Sequence, residues 1–312
     1  MSLSSMLKGK SEKEIQLQNI LKNLITPRPS FATLSGKKAF SEEYEDLAPY
    51  NLSNPYYSTL VGMAFEYLVR LIVAKNLKND IDKTPTYSRL MSGIAFKFLG
   101  RTTDRSTMEV LKRKYRDGQK ACEAYTNRQE CDFDEILNFA GYLASLEAIV
   151  RSGGIPPNDI NKSLVEDTNK EIVESLRTLS RVFEEKFIGG GILKENSTVI
   201  FNPAFSPLIS LCCSRAYGDM FIDGTLYSFK CNKSKGYSWT ECAQMIGHYL
   251  LTVIDLRYSR NDINLDEDTI ERLAFYRSRC GEIEYMDIKS FDKNKVEKAI
   301  EELIRLWGLE FE

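Results

Sequence analysis

The chain has 312 residues, of which 43% are hydrophobic and 28% are charged, as is ordinary for a globular protein with a buried core. Its 42 basic and 44 acidic residues nearly balance, so any contact with nucleic acid must come from a local basic patch. The single histidine, His248, excludes a multi-histidine zinc site. The seven cysteines contain no Cys-x-x-Cys pair, which indicates reduced thiols.

The N-terminal two-thirds of the chain carries mostly helical patterns. Apolar residues recur at helical spacing in residues 11–24, 57–75, 87–98, 106–126, 133–151 and 164–187. The prolines within residues 26–56 predict an irregular segment. No apolar run reaches the roughly 20 residues that cross a bilayer, and the N-terminus lacks the apolar core of a secretory signal. We therefore expect a cytoplasmic protein that makes no membrane contact.

The pattern changes after the three glycines at 189–191, where strand-like segments begin. Strands are predicted in residues 198–202, 219–231 and 271–288, the last as a hairpin around Gly281, and helices in residues 239–255 and 293–307. The sequence therefore predicts an α+β protein with a large, mostly helical N-terminal portion.

Asp223-Gly224 separates two strand-like runs, and this dipeptide favours a tight turn in which both central residues need a positive φ. Counting outward from the turn places Asp219 opposite Ser228. The two-residue period of a strand puts Ser228 and Lys230 on one face, and the alternate residues from Tyr227 to Cys231 on the other. A carboxylate, a hydroxyl and an ammonium group are thus expected on one patch.

Such a patch suits metal-dependent phosphodiester cleavage. Mg²⁺ prefers oxygen ligands, usually one or two carboxylates completed by phosphate and water. The ion stabilises charge on the scissile phosphate and activates a water molecule, and a nearby lysine can position that water.

A set of segments in fixed order resembles the PD-(D/E)XK nuclease superfamily. Residues 217–230, Tyr-Gly-Asp-Met-Phe-Ile-Asp-Gly-Thr-Leu-Tyr-Ser-Phe-Lys, are similar to its catalytic hairpin. Gln244-Met-Ile-Gly-His-Tyr249 resembles the helix after that hairpin. The lead-in, the last hairpin of the core and the opening helix have counterparts at residues 201–205, 275–285 and 61–70.

The resemblance implies a restriction-endonuclease-like core, a mixed sheet flanked by helices, over residues 191–312. Residues 1–190 would form the helical N-terminal region, with residues 57–75 supplying the first core helix. The resemblance also implies Mg²⁺ or Mn²⁺ as cofactor and a nucleic acid, expected to be DNA, as partner.

The same resemblance implies individual roles. Asp219 would bind the metal, Lys230 would be the catalytic lysine, Gln244 would line the phosphate or water site, and Glu66 would supply an outer carboxylate. Ser228 occupies the position of the family's central acid, and its hydroxyl is a weaker metal ligand than a carboxylate. Either Glu66 or Glu241, which lies on the helix face of Gln244, would have to replace that acid.

Three local alternatives stay open from the sequence. Glu66 has the spacing for a helical pair with Arg70, and Glu241 suits the first turn of its helix because acids complement the helix dipole. The basic stretch at residues 112–116 is either a phosphate contact or, more commonly, a solvated helix face. If no acid replaces Ser228, the alternative function is an inactive nuclease-fold module that binds nucleic acid or a partner protein.

Overall fold

The computed structural model of the protein describes residues 3–78, 91–151, 164–201, 219–258 and 269–309. Within these ranges the helices are α1 (Leu3–Met6), α2 (Glu12–Ile25), α3 (Pro55–Asn76), α4 (Met91–Thr102), α5 (Arg105–Thr126), α6 (Phe133–Arg151), α7 (Lys170–Phe183), α8 (Trp239–Tyr258) and α9 (Lys293–Trp307). The strands are β1 (Ala32–Thr33), β2 (Val199–Phe201), β3 (Met220–Ile222), β4 (Thr225–Lys230), β5 (Arg272–Arg277) and β6 (Glu282–Asp287). The protein is therefore α+β, as the sequence predicts.

The six strands form one mixed sheet in the order β1-β6-β5-β4-β3-β2. The β2-β3-β4 segment is an antiparallel meander, and β5-β6 is an antiparallel hairpin. Only β4 and β5 pair in parallel, and α8 lies between them in the chain. A parallel pair needs such a crossover because its strands cannot be joined by a tight turn.

Helices cover both faces of the sheet. One hydrophobic cluster contains residues of the helices from α3 through α7 and of the sheet face that carries Tyr227, Phe229 and Tyr276. The second cluster joins α1, α2, α8 and α9 with the opposite face, which carries Leu226 and Phe275. Each strand of the central sheet therefore contributes alternate residues to two separate cores, as its two-residue period requires.

Local signals in the sequence fix the ends of several elements. Ser11 and Glu14 form a capping box at the start of α2. Asp292 caps α9, and Gly308 ends that helix with a φ of 60°. The prediction of a helix over residues 293–307 is confirmed, and so is that of a hairpin around Gly281.

Other boundaries differ from the sequence predictions. Residues 26–56 are not wholly irregular, because Ala32 and Thr33 pair with the edge of β6. The helix expected over 164–187 begins only at Lys170, because the Asn169 side chain caps it. The helix expected over 87–98 overlaps α4, which continues to Thr102, while residues 79–90 lie outside the described ranges.

Among the described residues one helix, α3, is long and apolar enough to cross a membrane by length and composition alone. Its apolar stretch is mostly buried inside the protein, against α6 and α7. A helix that is apolar on most sides and buried on most sides is typical of the core of a soluble protein.

Elements that precede residue 190, the predicted boundary between two regions, pack against elements that follow it. The N-terminal helices α1 and α2 pack on α8 and α9, and β1 extends the C-terminal sheet. In the other direction, Phe183 of α7 contacts Phe229 and Tyr276 of the sheet. The division at 190 and 191 remains a prediction.

Candidate functional site

The β3-β4 hairpin forms with the predicted register from Ile222–Thr225 to Met220–Tyr227, whereas the predicted pair of Asp219 and Ser228 is not part of the ladder. Asp223 and Gly224 have φ values of 41° and 84°, and Ile222 pairs with Thr225 across the turn. The Asp223 carboxylate accepts hydrogen bonds from the Ser197 hydroxyl at 2.6 Å and the Thr198 N–H at 2.8 Å. Asp223 therefore forms the turn and ties it to the residues before β2.

Asp219 lies at the open end of this hairpin, one residue before β3 begins. Its Oδ2 accepts the backbone N–H of Phe229 at 2.8 Å. The carboxylate thus supplies the acceptor that a longer β3 would have provided, because the ladder ends at the pair of Met220 and Tyr227. This bond fixes the Asp219 carboxylate beside the backbone that connects Ser228 to Lys230.

Glu66 reaches the same region from α3. Burial, followed by the charges of Asp219 and Glu147, raises the pKa of Glu66 to about 8, while Arg70 and Arg151 act in the opposite direction. The Cys231 thiol lies near both acids: burial raises its pKa to about 12, and the charges of Glu66 and Asp219 act in the same direction. Glu66 therefore carries a proton at neutral pH unless a cation replaces it.

Polar side chains of α3 and α6 form a buried cluster near Glu66. Glu147 accepts hydrogen bonds from the Tyr67 hydroxyl at 2.7 Å and from Arg151 Nε at 2.8 Å. Arg70 is buried with its guanidinium over the Tyr67 ring, 5.2 Å from the centroid. No ion pair joins Glu66 to Arg70 among the described residues, so the helical pair suggested by their spacing does not form there. Because α6 lies about 80 positions away in the chain, sequence spacing gave no sign of Glu147 or Arg151.

Ser228 and Lys230 lie on the face of β4 toward α8, opposite to the face that packs on the α3 side. Phe229 and Cys231 belong to the core on the α3 side, which leaves their neighbours on the α8 side. Lys230 Nζ lies 5.6 Å from the centroid of the Phe275 ring. Burial lowers the pKa of His248 to about 3, and the charge of Lys230 contributes in the same direction. His248 is therefore neutral at pH 7 and is not an acid catalyst.

Glu241 is held by a different set of groups. Its carboxylate accepts Arg277 Nη1 at 3.0 Å and Asn232 Nδ2 at 2.6 Å. Arg277 is buried and also donates through Nε to the fully buried Glu284, at 2.7 Å. Glu241 is thus the outer member of an ion network between α8, β5 and β6. Gln244 is half-buried one turn further along α8.

The structure therefore brings two of the three expected metal ligands together. Glu66 and Asp219 interact at the open end of the hairpin, whereas Glu241 is engaged by Arg277. Among the described residues, no three His, Cys, Asp or Glu side chains gather as a metal site. Two carboxylates with water and phosphate still suit Mg²⁺, and a bound cation would oppose the effect of burial and of Asp219 on the pKa of Glu66.

The lead-in at residues 201–205 and the start of the hairpin motif, residues 217 and 218, fall almost wholly outside the described ranges. Comparison of the chain with family models, with curated proteins and with solved structures finds no match in any of the three.

Proposed function

We propose that the protein is a metal-dependent phosphodiesterase that cleaves DNA through a degenerate PD-(D/E)XK-type site. The observation that carries this proposal is that Asp219, at the open end of the β3-β4 hairpin, lies near enough to Glu66 of α3 for its charge to raise the pKa of Glu66. A partly buried acid whose pKa is raised by burial and by a neighbouring acid destabilises the fold when it is charged, and such sites recur where catalysis or ion binding requires them.

The order of elements supports the proposal. The helix that carries Glu66 precedes a three-stranded meander, the helix that carries Gln244 follows it, and β5 then pairs in parallel with β4. This order agrees with the opening helix, catalytic hairpin, following helix and last hairpin that the sequence resemblance implies for a restriction-endonuclease-like core.

The side chains would divide the work as follows. Glu66 and Asp219 would hold Mg²⁺ or Mn²⁺. A divalent ion bound there would offset charge on the scissile phosphate and supply an activated water. Lys230 would orient that water from the α8 side, one residue beyond the N–H that Asp219 accepts. Gln244 would support the phosphate, and Ser228 would offer a hydroxyl where a stronger ligand is missing.

The compartment is proposed to be the cytoplasm.

A second function is favoured by a specific observation. Ser228 is neutral, and Glu241 is bound to Arg277 rather than directed to the acid pair. A nuclease fold with these features would bind nucleic acid or a partner protein without cutting it. The two functions differ in whether cleavage requires a divalent ion and Lys230.

The first test is a cleavage assay on single- and double-stranded DNA with Mg²⁺ or Mn²⁺. We expect wild-type cleavage and a loss of about 100-fold or more in Lys230→Ala, as for removal of a positioned proton-transfer group. Lys298→Ala, which changes an exposed lysine on α9, is the matched control and should cleave normally. Equal rates for Lys230→Ala and the wild type, or no cleavage by any of the three proteins, would contradict catalysis.

Restoring the missing acid separates a weakened metal site from a lost one. Ser228→Asp is expected to bind Mn²⁺ at least about tenfold more tightly than the wild type, because a carboxylate replaces a hydroxyl one residue before the Phe229 N–H that Asp219 accepts. Binding would be measured by calorimetry, with Ser290→Asp as an exposed control. Unchanged affinity would show that Asp219 and residue 228 do not share an ion.

A further inference from the structure

An aromatic and basic surface lies beside the N-terminal end of α8. We define it by Lys22, Arg28, Phe40, Tyr237 and Trp239 and call it the aromatic–basic surface. Its three rings are partly exposed, and both cations are exposed. The Arg28 guanidinium lies 3.8 Å from the Tyr237 ring centroid, and Lys22 Nζ lies 5.6 Å from that of Trp239.

This surface continues inward to Lys230. Phe40 meets Tyr237 edge-on, with centroids 5.3 Å apart, and its ring lies 6.4 Å from that of Phe275. Phe275 in turn carries Lys230 Nζ at 5.6 Å from its centroid. A chain of rings and cations therefore joins the exterior of the protein to the α8 face of the candidate site.

Two exposed basic side chains lie on this surface although the chain as a whole is slightly acidic. Lys22 and Arg28 form no ion pair with any carboxylate in the described ranges. Two acids lie near the rim: Asp46 is paired with Lys235 at 3.2 Å, and Glu42 lies against Gly236. Glu42 has no basic partner among the described residues, and the exposed Glu43 and Glu45 follow it in the chain.

Rings interleaved with cations suit single-stranded nucleic acid. Unpaired bases stack on aromatic faces and on guanidinium planes, while lysine and arginine neutralise the phosphates between them. Bases in a duplex are already stacked on one another and cannot use these faces. We propose that the aromatic–basic surface binds single-stranded nucleic acid. That the strand then leads to the candidate site rests on the proposed function, whereas the binding itself does not.

The test measures binding of a fluorescently labelled thymidine oligonucleotide by anisotropy, with the full chain and with EDTA present. A duplex of the same length is the comparison ligand. EDTA removes any contribution of a divalent ion, so this result is independent of cleavage. We expect the single strand to bind at least about tenfold more tightly than the duplex.

Two substitutions distinguish stacking from charge. Tyr237→Leu should weaken binding about tenfold at every salt concentration, because it removes a stacking face and no charge. Arg28→Ala should weaken binding and also reduce the salt slope, d log K/d log[salt], by about 0.7, the value for one lost phosphate contact on a single strand. Arg28→Lys should restore the slope and leave binding weaker, since lysine has no planar face.

Lys112→Ala is the matched control, because Lys112 is an exposed cation in the basic stretch of α5. It should bind like the wild type. The proposal is overturned if the wild type does not bind the single strand, or if the duplex binds equally well. It is also overturned if Tyr237→Leu melts like the wild type and binds as tightly as the wild type. A loss of binding in Lys112→Ala as large as that in Arg28→Ala would overturn it too. Binding without cleavage would support this surface and contradict only the nuclease proposal.

Discussion

Glu284→Gln is expected to destabilise the protein by about 3 kcal/mol, the largest effect on stability that we predict. Glu284 is fully buried and accepts hydrogen bonds from the Phe40 N–H at 2.6 Å, the Tyr44 hydroxyl at 3.0 Å and Arg277 Nε at 2.7 Å. Removing one partner of a buried ion pair typically costs about 3–5 kcal/mol, because the remaining charge has lost its compensation. We expect the lower end, since Glu241 still neutralises Arg277.

Urea denaturation followed by circular dichroism measures this loss. Glu301→Gln is the control, because it breaks the exposed pair of Glu301 and Arg305 on α9. Exposed pairs contribute about 0–1 kcal/mol, so the control should be close to the wild type. Similar stability of both variants would show that the Arg277 network does not hold α8, β5 and β6 together.

Glu66→Gln or Asp219→Asn is expected to weaken Mn²⁺ binding on the order of 100-fold, the largest effect on ion binding that we predict. Both substitutions keep the shape of the side chain and remove its charge. If the two acids share one ion, the double variant should be little worse than either single variant, because residues that act as one unit are not additive. Fully additive losses would place the acids at separate ions.

In the absence of metal, Glu66→Gln should stabilise the protein, although the same substitution weakens Mn²⁺ binding. The pKa of Glu66 is raised in the folded state from an ordinary value of 4.5 to about 8. The folded state therefore holds the proton more tightly than the unfolded state, so this group destabilises the fold progressively as pH rises from about 4.5 toward 8. Glu66→Gln cannot lose a proton and should be more stable than the wild type at pH 8, by about 2–4 kcal/mol, and similar to it at pH 4.

Denaturation at pH 4 and pH 8 checks this expectation, with Glu301→Gln again as the control. An equal difference between Glu66→Gln and the wild type at both pH values would contradict the raised pKa of Glu66.

Local signals made parts of the fold predictable from the sequence. Asp223 and Gly224 require a tight turn, so the hairpin, its register and the two faces of β4 follow from counting. Asp292 and Gly308 mark both ends of α9 in the same way. These features depend on the conformational preferences of one or two residues and not on the rest of the chain.

The features that sequence alone did not give are non-local. Glu147 and Arg151 belong to an apolar helix, and their relation to Glu66 exists only because α6 packs on α3. Glu241 has the spacing of a metal ligand, but Arg277 approaches it from β5 and engages it. The pairing of Ala32 and Thr33 with β6 joins residues about 250 positions apart. A strand of two residues is too short to show an alternating pattern from which this pairing could be predicted.

The most direct test of the central claim, that Glu66 and Asp219 hold one divalent ion, is calorimetric titration of the wild type with Mn²⁺ at pH 7 in buffers of different ionisation enthalpy. Because Glu66 is protonated before the ion binds, we predict one bound ion and release of about one proton, and we predict that Glu66→Gln releases none. The absence of Mn²⁺ binding, or binding without proton release, would contradict the claim.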